Sequence, residues 1–147
     1  RLNLSQQKQE QVQEHFLLAL AEIDNEVIGI PLEQVREFVV FDQFFPVPFS
    51  PDFILGNINL RSEIVTLINI RALMGLPTQG QAKNKAIVTQ SHNSNVAIAV
   101  DEIRNITDVD LVSVKLSKEA TQGVMGTAIL ENEVITIIDL PDLLSKV

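Results

Sequence analysis

The groups that could do acid–base or metal chemistry in this chain are few, and their spacing gives them little to do together. The only histidines are His15, in a Gln-rich polar run, and His92, inside the turn-like S-H-N-S-N. Zinc binding or general-base catalysis needs converging partners, and neither histidine has one nearby in sequence, so both are expected to be solvated surface residues. Asp108 and Asp110 form D-V-D without the oxygen-rich, glycine-containing loop of a calcium site, and a solvated edge is expected there. Asp139 ends an apolar stretch and Asp142 opens the last turn, where acidic side chains suit a helix start, so they read as caps rather than catalysts. No G-x-S-x-G elbow occurs, and the glycines at 29, 56, 75, 80, 123 and 126 never form a phosphate-cradling loop. With no cysteine in the chain, thiolate nucleophiles, disulfides and thiolate metal sites are excluded outright. No catalytic, cofactor-binding or metal-binding residue is assigned, and the chain is not expected to be an enzyme.

The chemistry of this chain must therefore lie in its surfaces, which the fold has to build. A length of 147 residues with 46% hydrophobic and 20% charged side chains supports a real core without staples. A net charge of −8 opposes nucleic acid and anionic bilayers as partners. The longest uninterrupted apolar run, residues 16–21, is far below the roughly 20 residues a spanning helix needs, and no signal peptide opens the sequence. The expectation is a cytoplasmic protein with no direct membrane insertion.

Residues 1–15 form a polar lead-in with no stripe for a core. Beyond it the apolar runs are short and β-branched, which favours strands. Strands are expected at 16–24, 27–31, 35–41, 55–60 and 63–69, with a short helix at 70–76. After an exposed connection at 77–84, further strands are expected at 85–90, 95–101, 103–109, 126–130 and 133–139, and a helical turn at 141–147 closes the chain. Much of this pattern occurs twice. G-N-I-N-L-R-S-E-I-V-T-L-I-N-I-R-A-L from Gly56 matches G-T-A-I-L-E-N-E-V-I-T-I-I-D-L-P-D-L from Gly126 at an offset of 70, and I-G-I-P-L-E-Q-V-R-E-F from Ile28 matches V-A-I-A-V-D-E-I-R-N-I from Val96 at an offset of 68. The expected organisation is one region, 16–147, made of a first unit at about 16–76 and a second at about 85–140. The fold class is mainly β, with two small five-stranded barrels related by a pseudo-two-fold repeat and few helices.

Six of the seven phenylalanines fall between Phe38 and Phe53, a stretch that also holds Pro46, Pro48 and Pro51. The prolines stiffen the backbone and remove ladder donors, so this is an ordered crossing and not a central strand. Its rings either cap a barrel or, where exposed, anchor a partner.

The residues V-R-E-F-V-V-F-D-Q, then P-V-P-F-S-P-D-F-I-L-G-N-I-N-L-R-S-E-I-V-T-L-I-N-I-R-A-L-M-G-L, resemble the CheW family of chemotaxis coupling proteins, and the likeness extends from about Phe16 to the C-terminus. It implies two SH3-like five-stranded barrels and a non-catalytic scaffold or adaptor. Its implied partners are the cytoplasmic hairpin of a methyl-accepting chemoreceptor and the regulatory domain of a CheA-type histidine kinase, a domain that shares the fold. It also places Val35, Glu37, Gly56 and Arg61 in or near the receptor-binding groove, and leaves the kinase-binding residues unassigned. The alternative is a CheW-like regulatory domain from a kinase, or from a coupling protein with a receiver domain. One departure stands out: the family usually has Gly after N-L-R, and this chain has Ser62. Tight hairpins commonly require positive φ, so either the turn type differs here or Ser62 is strained. For Arg61, the alternative to a binding role is an internal ion pair with Glu37 or Glu63.

Overall fold

The computed structural model describes residues 15–79, 84–90, 95–110, 114–116 and 123–146. The lead-in 1–14, His92 and residues 80–83 of the expected connection lie outside the described residues. The strands are β1 (His15–Ile23), β2 (Glu26–Pro31), β3 (Val35–Val40), β4 (Ile54–Leu60), β5 (Glu63–Ile68), β6 (Lys85–Thr89), β7 (Val96–Val100), β8 (Glu102–Asp110), β9 (Val114–Leu116), β10 (Val124–Leu130) and β11 (Glu133–Ile138). Two short helices, α1 (Ile70–Leu73) and α2 (Leu140–Leu143), follow β5 and β11, and a 3-10 turn at Leu32–Gln34 joins β2 to β3.

The strands form a five-stranded sheet in the order β3-β6-β7-β5-β4 and a six-stranded sheet in the order β8-β1-β2-β11-β10-β9. The short β9 is the extra strand, and the sequence reading passed over it. The repeat is visible in the hydrogen-bond register itself. Leu18 pairs with Pro31 as Ala86 pairs with Ala99, each 68 positions on, and Leu60 pairs with Glu63 as Leu130 pairs with Glu133, each 70 on. Among the described residues each sheet has one parallel pairing, and it repeats too: Thr66 lies beside Val96 as Thr136 lies beside Ile28.

The two sheets do not follow the two units of the sequence. The first unit sends its β1–β2 hairpin to the sheet built on β8 to β11, and the second unit sends its equivalent β6–β7 hairpin to the sheet built on β3 to β5. Boundaries at 16–76 and 85–140 thus mark the sequence repeat, while each sheet draws strands from both units.

Three apolar clusters hold this arrangement. Val39, Ile58, Val65, Leu67 and the small Ala86, Ala97 and Ala99 fill the inside of the five-stranded sheet. Leu18, Leu20, Val27, Val109, Ile135 and Ile137 fill the other. Between the sheets lies a shared core in which repeat-equivalent residues appear as pairs: Ile28 with Val96, Ile30 with Ile98, Ile68 with Ile138, and Ile70 with Leu140. Strand β7 explains how one segment serves two cores. All five of its residues are buried, with Val96, Ile98 and Val100 in the shared core and the alanines in the barrel interior, which is why it reads as an unbroken apolar run. Each fully buried branched side chain is worth about 1.5–3 kcal/mol in transfer free energy.

Among the described residues, three two-residue hairpin turns have positive φ at both positions: Asp24 and Asn25 (49° and 69°), Arg61 and Ser62 (48° and 74°), and Glu131 and Asn132 (50° and 67°). This is the type I′ pattern that suits the right-handed twist of paired strands. The turn at Ser62 is therefore of the same type as its repeat equivalent, with Ser in the place Asn takes in the other two.

The helices differ in how they begin. Asn69 caps α1, accepting from the backbone N–H groups of Arg71 (3.0 Å) and Ala72 (3.3 Å). Its counterpart Asp139 was expected to cap α2 and does not. Gln34 does so instead, accepting from the Leu140 N–H at 2.8 Å and donating to the Asp139 carboxylate at 3.2 Å, because the Leu32–Gln34 turn carries it there. Asp142 accepts from the Gly123 N–H at 2.8 Å and so ties the turn before β10 to α2.

Candidate functional site: an ion-pair chain beside the barrel edge

Glu37 and Arg61 come from different strands, β3 and the tip of the β4–β5 hairpin, and the structure brings them together: Arg61 Nη2 donates to Glu37 Oε2 at 2.6 Å. The contact continues inward. Arg36 Nε lies 3.3 Å from the same Glu37 oxygen, and Arg36 Nη2 donates to Glu63 Oε2 at 2.9 Å. The result is an alternating chain, Arg61–Glu37–Arg36–Glu63, that joins β3 at one edge of the five-stranded sheet to the β4–β5 hairpin at the other. Its members differ in exposure: the Arg61 side chain is 72% exposed while that of Glu37 is 23% exposed, so Glu37 fixes one side of a guanidinium whose other donors face outward. Arginine suits such a place because it presents five N–H donors in a rigid planar fork.

Arg36 was not singled out in the sequence, although a signal was there. The repeat sets Arg36 opposite Arg104 and Glu63 opposite Glu133, and Arg104 Nη1 donates to Glu133 Oε1 at 2.8 Å, with Arg104 Nε donating to Glu22 at 2.9 Å. In both halves an Arg–Glu pair spans strands that are not neighbours in their sheet, β3 with β5 and β8 with β11. The hydrogen bond from Arg104 holds the Glu133 carboxyl below its ordinary range, and hydrogen bonds to Glu133 and Glu22 push Arg104 further up.

Val35 and Gly56 have other surroundings. Val35 begins β3, pairs with Thr89 and packs its half-buried side chain on the shared core. Gly56 lies five residues before Arg61, about 16 Å along the strand, under the proline-rich crossing. Phe45 and Asn57 exchange two backbone hydrogen bonds of 2.8 Å, folding the chain after β3 onto β4, the opposite edge of the same sheet. A Cβ on Gly56 would stand 2.5 Å from the Phe45 carbonyl oxygen, and its φ of 156° is one that side chains avoid. Gly56 is there to let this crossing close down. The four residues are thus one contacting pair, one core-facing neighbour and one backbone-contact glycine.

Other candidates resolve simply. His15 Nδ1 lies 3.7 Å from the Asp108 carboxylate on the surface, and among the described residues no group of three or more His, Cys, Asp or Glu is placed to hold a metal ion. No helix among the described residues is long and apolar enough to cross a membrane. An apolar hollow of about 380 Å³ opens where the chain passes between sheets, lined by Phe16, Leu17, Pro31, Leu32 and Glu33.

Comparison with known proteins agrees with this architecture. The chain is 27% identical over 143 residues to the chemotaxis protein CheW of Klebsiella aerogenes, covering 93% of this chain and 85% of that protein. It is 28% identical over 130 residues to CheW of Helicobacter pylori, covering 84% and 78%. Among solved structures, the scaffolding protein TtCheW of Thermoanaerobacter tengcongensis superposes with a TM-score of 0.78 at 24% identity, covering 88% of this chain and 92% of that one. The family model described as the CheW-like domain matches residues 18–147, and with the duplicated β architecture in place the chain belongs to the CheW-like domain family.

Proposed function

We propose that the chain couples two partners by bivalent binding: one surface holds the cytoplasmic helical hairpin of a methyl-accepting chemoreceptor, and another holds the regulatory domain of a CheA-type histidine kinase, in the cytoplasm. The role of a non-catalytic chemotaxis adaptor follows from family membership. The assignment of partners to surfaces rests on one observation, the outward-facing Arg61 guanidinium steadied by Glu37. A guanidinium held on one side is pre-organised to meet a carboxylate or carbonyl on a receptor helix. Val35, Glu37, Gly56 and Arg61 are proposed as the receptor-facing set, with Gly56 acting through the crossing it seats. Individual contacts need only modest affinity, because clustered receptors and kinases raise the effective concentration.

The test is separate titration of the protein with a receptor-tip hairpin and with the kinase. Arg61→Glu is expected to weaken receptor binding at least tenfold, about 1.4 kcal/mol, with kinase binding and melting temperature nearly unchanged. Arg61→Gln, which adds no charge beside Glu37, should show the same selectivity. A melting temperature several degrees lower in both variants, or intact receptor affinity, would assign Arg61 to the scaffold.

A further inference from the structure

The two short helices start from the same backbone geometry and are held in different ways. Asn69 and Asp139 both stand in an extended conformation before their helices, at φ −94°, ψ 105° and at φ −100°, ψ 100°. Asn69 accepts from the Arg71 and Ala72 N–H groups, but in α2 the place of Arg71 is taken by Pro141, which has no N–H to give. The start of α2 is held from outside instead. Gln34 Oε1 accepts from the Leu140 N–H at 2.8 Å, and Gln34 Nε2 donates to Asp139 Oδ1 at 3.2 Å. Leu140 is buried, where an unpaired N–H is costly. The place demands a neutral amide: a glutamate would set one carboxylate against another, and a lysine could accept nothing from Leu140. Glu102, the repeat equivalent of Gln34, receives Lys85 Nζ at 2.9 Å instead.

Gln34 stands directly before β3, at the end where the ladder of that strand with β6 is interrupted. The Gln34 carbonyl accepts from the Gln90 N–H at 2.9 Å, and Val35 pairs with Thr89, but the next step pairs Glu37 with Val88. Arg36 is thus the extra residue of a bulge, a feature that re-aims the side chains beside it. Those side chains belong to the ion-pair chain: Arg36 reaches Glu37 and Glu63, and Glu37 holds Arg61. Where a ladder skips a residue, the pose of the skipped segment depends on what anchors its two sides. Downstream, Phe38 to Val40 are paired with Ile87 to Lys85. Upstream, the side-chain anchor is Gln34 on α2, which is itself seated by Leu140 and Leu143 in the shared core. We propose that Gln34 is a positioning residue of the receptor-facing surface: by latching the turn before β3 to the start of α2, it fixes the bulge at Arg36 and so the pose of the Glu37–Arg61 pair. The inference rests on the receptor reading above.

The experiment titrates the full chain with the receptor-tip hairpin and reads a double-mutant cycle between Gln34 and Arg61. Gln34→Met keeps the length of the side chain and loses both hydrogen bonds. It is expected to weaken receptor binding about fivefold or more. In its background Arg61→Gln is expected to cost less than about threefold instead of tenfold, because a guanidinium already out of place has less to lose. A role confined to the helix is separated by Asp139→Asn with Pro141→Ala, which gives α2 a local cap on the plan of α1. In that background Gln34→Met should melt like its parent and still bind the receptor hairpin more weakly. Three results overturn the latch: wild-type receptor affinity in Gln34→Met, factors for Gln34→Met and Arg61→Gln that simply multiply, or full receptor affinity once α2 is recapped. An Arg61→Gln variant that binds like wild type overturns the receptor reading and the latch together, whereas a tenfold Arg61 effect with multiplying factors removes the latch alone.

Discussion

Replacing Ser62 by Asn should make the protein more stable. Ser62 occupies the second position of a type I′ turn at φ 74°, where the equivalent positions are Asn25 at 69° and Asn132 at 67°. A left-handed conformation costs an ordinary L-residue roughly 1–2 kcal/mol, and Asn recovers part of it through local hydrogen bonding of its short side chain. The Ser62 side chain is exposed, so the substitution changes little else, and a gain of about 0.5–1 kcal/mol is expected. For a chain of this length that corresponds to a rise of about 1–4 °C in melting temperature. Urea unfolding followed by circular dichroism measures it, with a higher midpoint at constant m-value as the expected signature. The reciprocal change supplies the control: Asn132→Ser should lose a similar amount, since the two turns share register and dihedral angles. Ser62→Gly should gain less than its relief of strain alone, because Gly also enlarges the entropy of the unfolded chain. If Ser62→Asn and Asn132→Ser both leave the midpoint unmoved, left-handed strain does not limit these turns and the reasoning is refuted.

Two further outcomes test the edge of the five-stranded sheet and its electrostatic counterpart. Gly56→Ala should destabilise the protein by about 2–4 kcal/mol, through the clash with the Phe45 carbonyl and the loss of the Phe45–Asn57 bridge, read as a lower urea midpoint and fluorescence-detected exposure of an apolar dye site near the crossing. In the other sheet, Arg104 lowers the Glu133 pKa in the folded state. The stability this contributes is present above the ordinary carboxylate pKa and fades as pH falls through the depressed folded value. Arg104→Gln should therefore flatten the dependence of the urea midpoint on pH in the acid range below about 4.5, and an unchanged acid limb would show that the Arg104–Glu133 contact carries no linkage.

Alternation and β-branching located most of the strands, and comparison of Gly56 with Gly126 exposed the duplication. Both signals are local: they report which side of a strand is apolar and where a turn falls. The exchange of hairpins was not legible because β1–β2 and β6–β7 have the same apolar pattern, and nothing local states which sheet will receive which hairpin. Strand β9 is three residues long, too short for alternation to register. Arg61 and Glu37 were named through family likeness, whereas Arg36, which joins their contact to Glu63, needed the repeat to be read as paired charges as well as paired apolar positions. The capping of α2 by Gln34 links positions over a hundred residues apart, a distance at which capping rules give no guidance.

Because each sheet borrows a hairpin from the other half of the sequence, the order in which the chain leaves the ribosome imposes an order of assembly. The five-stranded sheet has all its strands once Val100 has been made. The β1–β2 hairpin, synthesised first, must wait about a hundred further residues for β11, its parallel neighbour. At typical synthesis rates of 5–20 residues per second this is roughly 5–20 seconds, and the later partners of Leu18, Leu20 and Val27 arrive one after another within it, Val109 of β8 first, then Ala128 of β10, and Ile135 and Ile137 of β11 last. The earlier-completed sheet already presents Ile68, Ile87 and Ile98, and Ile28 and Ile30 of the waiting hairpin can settle on them. The half that finishes first thus acts as a built-in chaperone for the half that began first.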